Sequence, residues 1–125
     1  MRELAAKIQN AELEVMRVLW ENGGTLPLID IRRAIQSRCN WEYSTIKTLV
    51  ARLQAKGIVR LVRRGVYAAV VSEEEYAQCS TRAFIDKVFA GSAKKLMASM
   101  VSGGQLSKAD IAELSVILGG GEDHA

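Results

Sequence analysis

Apolar residues recur at helical spacing through the first half of the chain, and the breaks between them fall at glycine and proline. Leu13, Met16, Leu19 and Trp20 mark one face of a first helix. Asn10 is read as its N-cap, glutamates fill its first turn, and Asn22-Gly23-Gly24 ends it. Proline suits a first helical turn, so Thr25-Leu26-Pro27 is read as the start of a second helix with Leu28, Ile31 and Ile35 as its stripe. A third helix is predicted over residues 43–56, where Ile46, Leu49, Val50 and Leu53 follow the spacing of a buried face and Gly57 supplies the stop. The period then shortens, and residues 58–62 and 66–71 read as two strands around Arg63-Arg64-Gly65. A lone hairpin is marginal in water, so this one must lean on the preceding helices. Three helices and a basic hairpin, in that order, outline a winged helix.

From Ser72 the pattern changes again. Ser72 and the three glutamates after it cap a helix to about residue 90, with Tyr76, Ala83, Phe84, Val88 and Phe89 at helical spacing. Gly91-Ser92 breaks it, Leu96, Met97, Met100 and Val101 mark a second amphipathic segment, and Gly103-Gly104 breaks that one. Ser107 and Asp110 form a capping pair ahead of Ile111, Leu114, Ile117 and Leu118. Three short amphipathic helices do not bury these faces on themselves; a homodimer does. The expected dimer contacts are Tyr76, Phe84, Val88, Phe89, Leu96, Met100, Ile111, Leu114 and Leu118. The expected fold is thus mainly α: a winged helix-turn-helix domain over residues 1–72, then a small helical dimerisation arm over 73–118 and a disordered tail over 119–125.

Charge sharpens the functional reading. Residues 1–72 carry twelve Lys/Arg and six Asp/Glu, whereas residues 73–125 carry five and eight. Seven basic residues and one acid fall within residues 38–64 alone. A basic segment beside an acidic half suggests a polyanion-binding face with a separate partner module. A helix fits the major groove, short polar side chains and arginine reach base edges, and a basic hairpin tip reaches phosphates. Thr45, Thr48 and Arg52 lie close to whole helical turns apart and form one exposed stripe, with Lys47 beside it. These four, with Arg63 and Arg64 at the hairpin tip, are the expected DNA-contacting residues. A solvated polar face would look similar in isolation, and a winged helix used only for protein contact is the alternative function.

Other chemistry has little support. Cys39 and Cys79 lack metal-ligand spacing and read as small hydrophobes, and the single histidine, His124, lies in the terminal tail. There is no phosphate loop, no nucleophile–base pair and no metal triad, so neither enzyme activity nor a cofactor is expected. Trp20 and Trp41 are expected to pack rather than to stack on bases, because duplex DNA keeps its bases stacked. No apolar run approaches the ~20 residues of a bilayer span, and no secretory leader is evident, so a cytoplasmic protein without membrane insertion is expected.

Residues 11–20, Ala-Glu-Leu-Glu-Val-Met-Arg-Val-Leu-Trp, resemble the first helix of the BlaI/MecI/CopY penicillinase-repressor family. Trp41, Thr45-Ile46-Lys47-Thr48-Leu49-Val50, Arg52-Leu53 and Lys56-Gly57 resemble its recognition helix, and Gly91-Ser92 with residues 106–114 resemble its dimerisation helices. The likeness runs in order over nearly residues 8–118. It implies a homodimeric repressor on a dyad-symmetric double-stranded DNA operator, with Thr45, Lys47, Thr48 and Arg52 on the reading helix. It also implies a sensor protease as a possible partner, since in β-lactam-responsive members a membrane sensor protease triggers cleavage at an Asn-Phe pair in the dimerisation region. The matching positions here are Ser99-Met100, Glu42-Tyr43 replaces the usual Ser-Pro ahead of the recognition helix, and the cysteine cluster of copper-responsive members is absent.

Overall fold

Residues 7–122 are described by the structure, a computed structural model. Helix α1 (Asn10–Glu21) begins one residue earlier in its capping than the sequence suggested. Gln9 is the N-cap, and its N–H donates to the Glu12 carboxylate at 2.8 Å. Asn10 is already helical, because a capping box with an acid at the third helical position satisfies the orphan donors better than a lone Asn. Its buried face also differs: Val15, Met16, Val18 and Leu19 are fully buried, while Leu13 and Trp20 are only partly so.

Thr25–Pro27 is a strand, β1, and not the first turn of the next helix. Helix α2 (Leu28–Gln36) starts after it with Pro27 as N-cap. Then follow α3 (Tyr43–Ala55), β2 (Val59–Arg63) and β3 (Val66–Ala69). Strand order is β1-β3-β2, antiparallel throughout, with Thr25 opposite Ala68 and Leu61 opposite Tyr67. The Ala69 N–H donates to Gly24 O at 2.8 Å, and the Leu28 N–H donates to Gly65 O at 2.7 Å. Hairpin β2–β3 thus gains a third strand and is not left as a marginal pair. Proline is tolerated in β1 because the strand lies at the sheet edge.

Ile31 and Ile35 of α2, Ile46, Leu49, Val50 and Leu53 of α3, and Ile58 and Val59 join the α1 face in one core, each at most 4% exposed. Trp20, Trp41, Tyr67 and Val71 pack around it, partly buried. The Trp20 Nε1–H donates to Val71 O at 2.9 Å, so both tryptophans are packing groups here.

The chain divides into two compact units at Ala83/Phe84, inside helix α4 (Glu73–Phe89) and not at Ser72. The first turns of α4 belong with the winged helix: Cys79 is buried, and Tyr76 lies 5.8 Å from Trp20, centroid to centroid. Ser72 caps α4 as expected, accepting from the Glu75 N–H at 3.0 Å.

The second unit contains the end of α4, α5 (Ala93–Ser102) and α6 (Lys108–Glu122). Among its described side chains, residues 84–119, none is buried. Ser92 caps α5 and Ser107 caps α6. Helix α6 continues past residue 118 to Glu122, and the rest of the expected tail, His124 included, lies outside the described residues.

The α6 cap carries a pH signature. Ser107 N–H donates to Asp110 Oδ2 at 3.0 Å, while Asp110 N–H donates to Ser107 Oγ at 3.0 Å. The Ser107 backbone N–H first, then the Ser107 side-chain hydroxyl, hold the Asp110 carboxyl below its ordinary value of 3.8. A lowered folded-state pKa means that the cap is fully effective above the ordinary value and is lost as pH falls through the lowered one. The Ser107 amide resonance is expected to titrate with a midpoint below 3.8. A midpoint at or above that value would contradict the cap.

Candidate nucleic-acid interface

Helix α3 is held by its apolar face and presents the opposite one. Thr45, Lys47, Thr48 and Arg52 are all exposed, as the spacing requires once Ile46, Leu49, Val50 and Leu53 are buried. Ser44, Thr45, Thr48, Leu49 and Arg52 line a shallow open depression. The Thr48 hydroxyl donates back to Ser44 O at 2.9 Å, which leaves its lone pairs for an outside donor. The wing tip is equally open: Arg63 and Arg64 are exposed at the β2–β3 turn, where Gly65 adopts φ +74°. An L-residue with a Cβ is disfavoured in that left-handed conformation. The ladder shifts register between Leu61 and Arg63, a local irregularity at the start of the tip.

Electrostatically this stretch is one-sided. Residues 43–71 contain no Asp or Glu and six Lys/Arg. Among the described residues, the ion pairs are Arg33–Asp30 at 3.7 Å, Arg38–Glu21 at 3.5 Å and Lys56–Glu12 at 2.7 Å. Arg52, Arg60, Arg63, Arg64 and Lys47 therefore keep their charge unpaired by any described carboxylate.

Three features escaped the sequence reading. Lys56 counts as basic in the sequence, yet its ammonium is committed to Glu12, which is 1% exposed. The signal was present, since Glu12 lies three and four residues before Val15 and Met16 and so shares their buried face. Arg60 is exposed on the wing and joins the basic surface. Tyr43, the first residue of α3, has the Arg32 guanidinium carbon 4.5 Å and the Lys47 Nζ 4.8 Å from its ring centroid. Arg32 lies off the apolar stripe of α2 formed by Leu28, Ile31 and Ile35.

The expected dimer contacts fall into two groups. Phe84, Val88, Ile111 and Leu118 are exposed, with Val88 at 53% and Leu118 at 64%. Phe89, Leu96, Met100 and Leu114 are half-buried. Tyr76 is half-buried as well, with its ring beside that of Trp20 in the winged unit. Val101, Val116 and Ile117 are further exposed apolar groups of α5 and α6, at 51%, 75% and 66%. Ser99 and Met100 lie on α5, the first exposed and the second half-buried.

Among the described residues no group of His, Cys, Asp and Glu is placed to hold a metal ion. Among them, too, no helix is long and apolar enough to cross a membrane. Cys39 is half-buried, Cys79 is buried, and neither forms a disulfide.

The element order, the three-stranded sheet and the third helix packed by one face define a winged helix-turn-helix protein. The profile of the penicillinase repressor family matches residues 8–119, and the chain belongs to that family. Its members are transcriptional repressors and not enzymes. Over 115 residues the chain is 31% identical to the methicillin resistance regulatory protein MecI of Staphylococcus aureus (strain N315), covering 90% of this chain and 93% of that one. It is 28% identical over 121 residues to the penicillinase repressor of Bacillus licheniformis, covering 94% and 91%. An uncharacterized 16.5 kDa protein of Latilactobacillus sakei is 32% identical over 123 residues, covering 94% and 82%.

Proposed function

We propose that the chain is a homodimeric repressor that binds a dyad-symmetric operator in duplex DNA. Helix α3 enters the major groove, where Thr45 and Thr48 meet base edges or nearby phosphates and Arg52 or Lys47 reads a guanine or binds phosphate. Arg63 and Arg64 on the wing contact the backbone. Residues 1–72 act as the reader and residues 73–118 as the dimerisation region. The observation that carries this reading is the acid-free run over residues 43–71, folded into an exposed Thr/Lys/Arg helix face and an arginine-tipped wing. A pure protein-contact module has no need of such a field.

Dimerisation follows from the apolar surface of α4 to α6, which a single copy leaves uncovered. Two-fold symmetry then matches a palindromic site. A protein acting on chromosomal DNA in a bacterium works in the cytoplasm.

Binding of the purified chain to DNA from upstream of its own gene, titrated with salt, tests this. Saturable dimer binding to one dyad-symmetric site is expected, with log affinity falling by about 0.9 per phosphate contact for each unit of log salt. Weak binding indifferent to sequence and salt would favour the protein-contact alternative. Within this scheme Arg52→Ala separates base reading from phosphate anchoring. If Arg52 reads a base, specific binding loses about 1–3 kcal/mol per half-site and one position becomes permissive. Equal losses on operator and random duplex would make it an anchor.

A further inference from the structure

The cluster at the start of α3 extends the interface beyond the reading helix and wing. Arg32 projects from α2, and its guanidinium lies 4.5 Å from the Tyr43 ring centroid. The Arg32 Nε–H donates to Gln36 Oε1 at 3.3 Å, and the Gln36 amide in turn donates to Trp41 O at 3.1 Å. The guanidinium is therefore held at one edge and over one ring, while no described carboxylate neutralises it. Its two terminal amino groups remain for another acceptor. Lys47 shares the same ring at 4.8 Å.

We propose that Arg32 is a DNA-phosphate contact, acting with Lys47 as a paired cation clamp and with Tyr43, whose ring both cations touch, as the positioning residue. The inference rests on the DNA-binding reading above. Two like charges over one ring repel each other, and an anion shared between them removes that repulsion. A planar guanidinium presents a fork of donors suited to phosphate oxygens. The location fits a backbone contact: the first residues of a recognition helix sit in the groove, and the strand phosphates flank it.

The test is anisotropy of labelled operator and random duplexes over a salt series, for the full-length protein. The panel is wild type, Arg32→Ala, Arg32→Gln, Tyr43→Leu, Tyr43→Phe and, as the benchmark wing variant, Arg63→Ala. Arg32→Ala and Arg32→Gln are expected to weaken binding several-fold on both duplexes. Each should also reduce the steepness of the log–log salt dependence by about one per protomer. Tyr43→Leu should lose part of that slope, and Tyr43→Phe, which restores the ring, should recover it. A structural role for Arg32 would lower thermal stability and leave the slope alone. If Arg63→Ala lowers the slope and both Arg32 variants leave it unchanged, the clamp is overturned while DNA binding stands. If wild type shows no salt-dependent binding, the underlying reading falls and the clamp falls with it.

Discussion

Val88→Asp is expected to convert the proposed dimer to a monomer and to weaken operator binding by about two orders of magnitude or more. Val88 is 53% exposed in the single chain, so a charge there costs the monomer little. Across a two-fold interface the same charge is buried against apolar groups and meets its symmetry mate, which is strongly unfavourable. A dimer engages its second half-site as an intramolecular event, and losing that linkage removes an advantage of about 10²–10⁴. Leu114→Asp, on a different helix, should give the same result. Sedimentation reads the oligomeric state, and operator titration reads the affinity. Both variants remaining dimeric would place the interface elsewhere than on α4 and α6.

The second large effect concerns the seat of helix α3. Lys56 follows the last turn of α3, and its ammonium donates to both Glu12 oxygens, at 2.7 and 2.9 Å, and to Lys7 O. Glu12 lies within α1 and also accepts from the Gln9 N–H at 2.8 Å. One buried carboxylate thus ties the start of α1 to the end of α3. Lys56→Met removes the cation and strands that charge at 1% exposure. Breaking a buried pair in this way costs about 3–5 kcal/mol. The Lys56 side chain is itself 30% exposed, so the lower end, about 3 kcal/mol, is expected. Urea unfolding measures it. The double variant Glu12→Leu with Lys56→Met should recover most of the loss, since an apolar pair leaves no unpaired charge. A loss under about 1 kcal/mol for Lys56→Met alone would show that water reaches Glu12.

These two expectations draw on different levels of organisation. The apolar faces behind the first were readable in order along the chain, because a helix face depends on residues three and four apart. Ile46, Leu49, Val50 and Leu53 announced α3, and the face opposite had to carry Thr45, Thr48 and Arg52. Ser72, Ser107 and Asp110 marked helix starts for the same reason, since a cap acts across three residues. The arginine-tipped turn was likewise local.

Contacts between distant segments were a different matter. Thr25–Pro27 has the local chemistry of a helix start, and it becomes a strand only because β3, some forty residues later, offers an open edge. Lys56 reads as one more basic residue until Glu12, 44 positions earlier, is found within hydrogen-bond reach. Tyr76 has the spacing of its helix's outward face, yet Trp20 claims its ring. Arg32 and Tyr43 come together across the turn that joins α2 to α3, which no helical period encodes. Short-range periodicity thus determined the elements, their faces and the charge they display. Long-range packing decided which polar groups are spent inside the fold and which stay exposed at the surface, because only the folded chain brings those partners within a few ångströms.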